Sequence, residues 1–412
     1  MSKNYDYDYI VIGSGPAGRA VATDLRKAGK SVAIVEEADF GGAEINTRDL
    51  PYKLSLDFAR TYHDFVTTVS GGSCHFNLPT LIANREATID ARRKAIVDNL
   101  ENLGIRLISG FAHFLDNHTI SVDDVSLTAA NFILATGATL KPTEISGLES
   151  VKYYTPDTAL DLRRLPSYVA IIGGGPTGAM LAEYFAMLGS GVIIMERGDQ
   201  LLPREDQEIS AALTSYFTDN LGISIITNAR VVAVSEDYSS KIVIFTTGTG
   251  EKMVRVDTIV LATGSSAFLD YGLENAGVDY KKSGVTTDKY FNTSMKNIFA
   301  IGDSLGREDS STELATTEGH TLASNLLHRQ KSTVKYSNIP RIIGTYPGIA
   351  VLGMNERDLL SRDLKSHRSL TPLEYDEGFV KILTDHSGRL LGASVVAPNA
   401  SSALQIKKLL TK

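Results

Sequence analysis

Apolar positions follow two periods along this chain, and the same succession of periods is written twice. The run Tyr9-Ile10-Val11-Ile12 is unbroken and strand-sized, the pattern of a strand buried on both faces. It meets Gly13-Ser14-Gly15-Pro16-Ala17-Gly18, after which apolar residues at helical spacing continue through Ala28. A second apolar run, Ser31 to Val35, then leads to Glu36. The order returns at Tyr168-Val169-Ala170-Ile171-Ile172, followed by Gly173-Gly174-Gly175-Pro176-Thr177-Gly178, a helical stretch to about Leu188, and Val192 to Met195 ending in Glu196. Both copies predict strand, glycine turn, helix and strand. The repeat has the size of a domain rather than of a solenoid unit.

Such a context turns a common glycine pattern into a dinucleotide-binding signature. The first glycine permits the tight turn, the second lets a pyrophosphate approach the backbone, and the third lets helix and strand pack closely. The helix N-terminus then offers partial positive charge to the phosphates. Gly13, Gly15, Pro16, Ala17 and Gly18 form the first candidate loop, and Gly173, Gly175, Pro176, Thr177 and Gly178 the second. Glu36 and Glu196 stand where a carboxylate accepts from ribose hydroxyls. The acid at 196 favours NAD over NADP, with Arg197 beside it as a competing signal.

Three later runs end in the same manner. Ala135-Thr136-Gly137 and Ala262-Thr263-Gly264 each close a short apolar strand, and Ile298 to Ile301 leads into Gly302-Asp303. Asp303 can face a polyol such as a ribityl chain or cap a helix.

Composition narrows the partners. The 412 residues exceed one typical domain, and 43% hydrophobic with 22% charged residues is a globular balance. A net charge of −7 supplies no basic field for nucleic acid. Apolar runs are too short for a membrane span, and the N-terminus shows no signal-peptide pattern, so a cytoplasmic location is expected. One cysteine, Cys74, excludes an internal disulfide and a thiolate metal cluster. No metal site is expected.

Together these residues resemble the pyridine nucleotide-disulfide oxidoreductases, the family of dihydrolipoamide dehydrogenase, glutathione reductase and mercuric reductase. The resemblance extends through Thr155-Pro156-Asp157, Leu202-Pro203, Leu314-Ala315, Glu318-Gly319, Tyr346-Pro347-Gly348 and Gly388 to Ala393. It implies an α/β fold with two Rossmann-type dinucleotide-binding domains and a truncated α+β interface domain. FAD would bind in residues 1–154, continued by 285–335, NAD in 155–284, and 336–412 would form the shortened interface domain. Glu37, Gly42, Ala112, Ala135, Thr136, Gly137, Gly302, Asp303 and the helix start Leu314-Ala315-Thr316 join the implied FAD contacts. Arg197 and Gly264 join those for NAD. A homodimer is implied by the resemblance, although the shortened final segment removes the basis for assuming one.

The departures carry the functional expectation. The family's redox segment reads G-G-T-C-x-N-x-G-C-x-P-S-K, and this chain has Gly41 to Lys53 there, with Glu44 and Asp49 at the cysteine positions. A carboxylate cannot perform thiol-disulfide exchange. Pro176 and Met180 replace the family's aromatic gate and the Glu that pairs with the flavin-facing Lys53, and the chain lacks the terminal His-Glu pair. Asp49 can pair with Lys53 one helical turn on or cap a helix. Glu44, Asp49 and Lys53 are the candidate catalytic residues. Two functions remain open: NADH reducing FAD with electrons passed to an unidentified non-disulfide acceptor, or a non-catalytic, redox-sensing FAD/NAD-binding protein. A single-cysteine NADH oxidase would have only Cys74 available. The final stretch Ala403 to Leu410 has the spacing of an amphipathic helix.

Overall fold

A computed structural model of the chain describes residues 5–69, 75–307, 311–373 and 378–398. Cys74 and the amphipathic stretch 403–410 lie outside the described residues. The chain opens with β1 (Tyr7–Ile12), α1 (Pro16–Lys27), β2 (Val32–Glu36), α2 (Gly42–Asn46), α3 (Asp49–Thr68), α4 (Leu78–Asn102), β3 (Arg106–Ser109), β4 (Ala112–Asp116), β5 (Thr119–Val122), β6 (Val125–Leu134) and β7 (Ala138–Leu140). The second repeat gives β8 (Tyr168–Ile172), α5 (Pro176–Met187), β9 (Gly191–Met195), α6 (Gln207–Asp219), β10 (Ser224–Ile226), β11 (Arg230–Asp237), β12 (Ser240–Thr247), β13 (Gly250–Val256) and β14 (Thr258–Leu261). After it come β15 (Ser265–Ala267), β16 (Tyr280–Lys281), β17 (Gly284–Val285), β18 (Ile298–Ala300) and α7 (Thr312–Leu327). The last elements are β19 (Arg341–Ile343), β20 (Gly348–Gly353), α8 (Glu356–Ser361), β21 (His367–Pro372), β22 (Phe379–Thr384) and β23 (Leu390–Ala397).

Contacts group these elements into two compact units. One comprises residues 1–51, 86–141 and 265–335, the other 52–85, 142–264 and 336–412. The family resemblance implied breaks near 154, 284 and 335. The sheet of the interface segment packs within the second unit, and α3 and α4 each cross from one unit to the other.

In the first unit β1 lies between β2 and β6, parallel to both, with β3 beyond β2 and β18 beside β6. The unbroken apolar run of β1 is explained by this place, since Tyr9 to Ile12 are buried between neighbours on both faces. The first part of β6 instead turns back antiparallel to β5, which pairs with β4. Helix α7 packs against α1 at very short range: a Cβ on Gly319 would lie 2.5 Å from the Ala17 carbonyl oxygen. Only glycine permits that approach.

The second unit repeats the parallel order in β10-β9-β8-β14 and adds the antiparallel sheets β11-β12-β13 and β19-β20-β23-β22-β21. Its core joins Val169, Ile171, Leu181 and Phe185 of the nucleotide fold to Ile349, Val351 and Val396 of the five-stranded sheet.

Candidate functional site

The two glycine loops have nearly superimposable local chemistry. Gly13 has φ of 104° and Gly173 φ of 114°, both in the left-handed region, and a Cβ on either would strike a carbonyl of the following turn, Ala135 at 2.2 Å or Ala262 at 2.3 Å. On Gly18 it would meet the Gly13 carbonyl at 2.1 Å, and on Gly178 the Gly173 carbonyl at 2.0 Å. Gly15 and Gly175, by contrast, face open space. Each is the N-cap of its helix, with no side chain capping it and proline in the first turn. The first amides of α1 and α5 are thus left for an anion. Gly137 and Gly264, both at positive φ, also face open space.

The acids at the strand ends brace these loops. Glu36 Oε2 accepts from the Ser14 amide (2.8 Å) and hydroxyl (2.6 Å), and Oε1 from the Ala38 amide (3.1 Å). Glu196 is buried, its oxygens accepting from the Gly174 and Gly198 amides at 2.7 Å each. Arg197 beside it is exposed.

In the first unit the structure brings the redox segment onto the glycine loop. The Gly41 amide donates to Ser14 Oγ (2.8 Å), and a Cβ on Gly42 would sit 2.5 Å from the Gly15 Cα. Arg19, in α1, donates to the Gly41 carbonyl and forms an ion pair with Glu44, both at 2.5 Å. Glu44 therefore has a cationic partner. Arg19 was not legible as a site residue, because its partner lies 25 positions away on a different helix. Asp49 is the first residue of α3, and its carboxylate accepts from the Thr312 hydroxyl at the start of α7 (2.5 Å).

Asp303 follows β18 in the same unit. Burial raises its carboxyl pKa; Arg48 opposes this, and Asp49 adds to it. The neighbouring Gly302 amide donates to Glu318 Oε2 (2.7 Å), and Glu318, buried in α7, is paired with Arg307. Ser311 caps α7, accepting from the Leu314 amide (3.1 Å), so Leu314, Ala315 and Thr316 lie in its opening turns. Glu36, Glu37, Ala112 and Thr136 share a small cavity with Gly110, Phe111, Phe268 and Tyr271. The last four were absent from the sequence expectation, and Tyr271 is fully buried with a hydroxyl that has no hydrogen-bond partner. Open faces over Gly15 and Gly137 together with that orphaned hydroxyl fit the first unit to a flavin dinucleotide.

Lys53 lies in the second unit, exposed on α3, and among the described residues no carboxylate engages it. Helix α5 carries a buried acid one turn beyond Met180, but Glu183 is committed elsewhere. It accepts from Arg60 Nε (2.7 Å) and the Tyr346 amide (3.0 Å), while Arg60 also donates to the Gly344 carbonyl (2.6 Å). Burial raises the Glu183 pKa, against the opposing pull of Arg60. A different acidic group, Asp206, Glu208 and Glu356, is close enough to hold a cation, and the buried Lys381 ammonium already fills that role, 2.8 to 3.1 Å from all three.

A family model described as pyridine nucleotide-disulphide oxidoreductase matches residues 7–319. Mercuric reductase of Staphylococcus aureus is 30% identical, the match covering 98% of this chain and 77% of that protein. A dihydrolipoyl dehydrogenase of Bacillus subtilis is 26% identical over 96% of this chain and 90% of its own. Among solved structures, the HOCl-induced flavoprotein disulfide reductase RclA from Escherichia coli superimposes with a TM-score of 0.86 at 27% identity, covering 98% of this chain and 93% of that one. No described helix is long and apolar enough to cross a membrane. With two dinucleotide folds in the expected order, this chain belongs to the pyridine nucleotide-disulphide oxidoreductase family, whose members are FAD-dependent pyridine nucleotide oxidoreductases.

Proposed function

We propose that this protein takes electrons from NADH onto FAD and passes them to an acceptor other than a disulfide. The observation that carries the proposal is the state of the two redox positions. Glu44 is held in an ion pair by Arg19, and Asp49 accepts a hydrogen bond from Thr312. Neither group can attack or carry a sulfur, so the thiol relay of the disulfide reductases has no first member here.

FAD, when bound, supplies the hydride acceptance and the onward electron release. The protein's own residues do the rest. The free amides opening α1 and the open face of Gly15 receive the pyrophosphate, Glu36 stands at the ribose, and Asp303 at the ribityl chain. Gly173 to Gly178 and the opening of α5 receive the nicotinamide nucleotide, with Glu196 at its ribose favouring NADH. Pro176 places no aromatic ring over that entrance. Mercuric reductase and RclA act on mercuric ion or disulfides by their names; without either cysteine, this chain is assigned neither substrate. A cytoplasmic location belongs to the same reading.

A second reading is favoured by one observation: Lys53 has no carboxylate partner among the described residues, and Met180 stands where the family places it. On that reading the chain binds FAD and NAD as a non-catalytic sensor. Anaerobic titration distinguishes the two. Bleaching of the flavin by stoichiometric NADH, reversal by a quinone or dye, and no turnover of lipoamide or glutathione disulfide are the outcomes expected of the enzyme. Thiol release in step with NADH loss would overturn the proposal, and a flavin that stays oxidised would leave the sensor.

A further inference from the structure

Two buried side-chain polar atoms among the described residues lack a hydrogen-bond partner, Thr263 Oγ1 and Tyr271 Oη. Tyr271 is the more informative, because it lines a cavity beside the first glycine loop. It is 1% exposed, its ring stacked on Phe268 at 6.0 Å and tilted against Phe114 at 6.3 Å. The backbone is fixed as well: the Phe114 amide donates to the Tyr271 carbonyl (3.0 Å). The ring therefore has little freedom to seek a partner elsewhere. Thr136 is the neighbouring polar group; its hydroxyl donates to the Phe268 carbonyl (3.4 Å) and is near enough to pull the phenol pKa down a little, but it makes no hydrogen bond to Tyr271 Oη. Burial pushes the phenol pKa far up, so the group remains a neutral donor at any working pH.

A buried donor without an acceptor costs free energy, and such groups persist where something outside the protein completes them. Tyr271 lines the cavity of about 50 Å³ that also holds Gly13, the first glycine of the nucleotide loop, and Glu36, the acid at the ribose position. We infer that Tyr271 is a binding residue for the adenosine half of FAD, donating its phenolic hydrogen bond to an acceptor on that half. This rests on the reading that the first glycine loop holds FAD. The sequence motif does not contain Tyr271, which stands more than 250 positions after the loop and reaches it only because 265–335 folds back into the first unit.

The test is Tyr271→Phe, which deletes the hydroxyl and keeps the ring. A hydroxyl that only serves packing or a trapped water would, when deleted, lower the apoprotein's melting temperature and leave nucleotide affinity alone. A hydroxyl waiting for FAD gives the opposite pair of results. The apoprotein should melt at the same or a higher temperature, while FAD and ADP, titrated calorimetrically into apoprotein, should each bind roughly five- to tenfold more weakly, the loss expected for one neutral hydrogen bond. Unchanged affinities for both ligands would overturn the inference while leaving the FAD assignment standing. Failure of the unsubstituted protein to bind FAD would instead remove that assignment and the inference with it.

Discussion

The two glycine loops are near copies in backbone, and they differ in what packs on them. The prohibited Cβ positions at Gly13 and Gly173, and at Gly18 and Gly178, agree to about 0.1 Å. In the first unit the loop is then tied to the redox segment by Ser14, Arg19 and the contact of Gly42 on Gly15. In the second unit Gly174 stands in place of Ser14, and a Cβ there would meet Leu201 and Glu196. Helix α5 has Ala179 where α1 has Arg19, and its acid Glu183 is turned to Arg60 instead. The nucleotide cradle is thus generic, fixed by backbone sterics. The chemistry beside it is particular, fixed by side chains from elsewhere in the chain.

The largest effects should come from breaking the shared part. Gly18→Ala and Gly178→Ala each force a methyl into a carbonyl, and overpacking of this kind costs about 1–3 kcal/mol. Gly18→Ala should abolish FAD retention through gel filtration, and Gly178→Ala should leave the protein yellow but weaken NADH binding at least tenfold, read by fluorescence titration. Equal damage to both ligands from either substitution would show that the loops are not independent.

Next in size is the feature found only in the first unit. Arg19→Met leaves the Glu44 charge uncompensated and should lower the flavin potential, whereas Glu44→Gln leaves Arg19 alone and should raise it. The double variant should return close to the original value. Each shift should be about 10–20 mV, because a partly exposed pair is worth at most ~1 kcal/mol and ~30 mV corresponds to ~1.4 kcal/mol. Shifts of the same sign in both single variants would mean that the pair acts by shaping α2 and not by charge.

The strand-end acids sharpen the contrast within the second loop. Glu196 is buried against two amides while Arg197 is exposed. Glu196→Gln should reduce the preference for NADH over NADPH by severalfold, and Arg197→Ala should increase it, both measured as ratios of dissociation constants. An unchanged ratio in the Arg197 variant would leave selection to Glu196 alone.

The smallest effect concerns Asp303, which follows β18 in the first unit. Its folded-state pKa is raised, chiefly by burial. A carboxyl raised on folding favours the folded state most below its unfolded pKa, and that contribution is lost as pH rises through the folded value. Asp303→Asn, neutral at every pH, should therefore match the unsubstituted apoprotein most closely in acid and gain on it as pH rises above the ordinary Asp range. Melting temperatures of the two apoproteins from pH 3 to 7 give this difference directly, and a gap that narrows with rising pH would contradict the assignment.

Local order fixed much of this molecule. Unbroken apolar runs of strand length bounded by glycine fit buried parallel strands, and the glycine before each proline, Gly15 and Gly175, is an extended N-cap from which a helix starts. Both nucleotide folds and the acids Glu36 and Glu196 were legible for that reason, whereas the missing cysteine pair and a helix opening at Leu314 to Thr316 were implied by the family resemblance, and α7 begins at Thr312. Tertiary structure decided the remainder. Arg19 became the partner of Glu44, Arg60 took Glu183, Lys381 filled an acidic cluster, and Tyr271 came to the first loop from a distant return of the chain. Each of these depends on where a long side chain ends in space, and no period or spacing in the sequence encodes a contact between segments brought together only by folding.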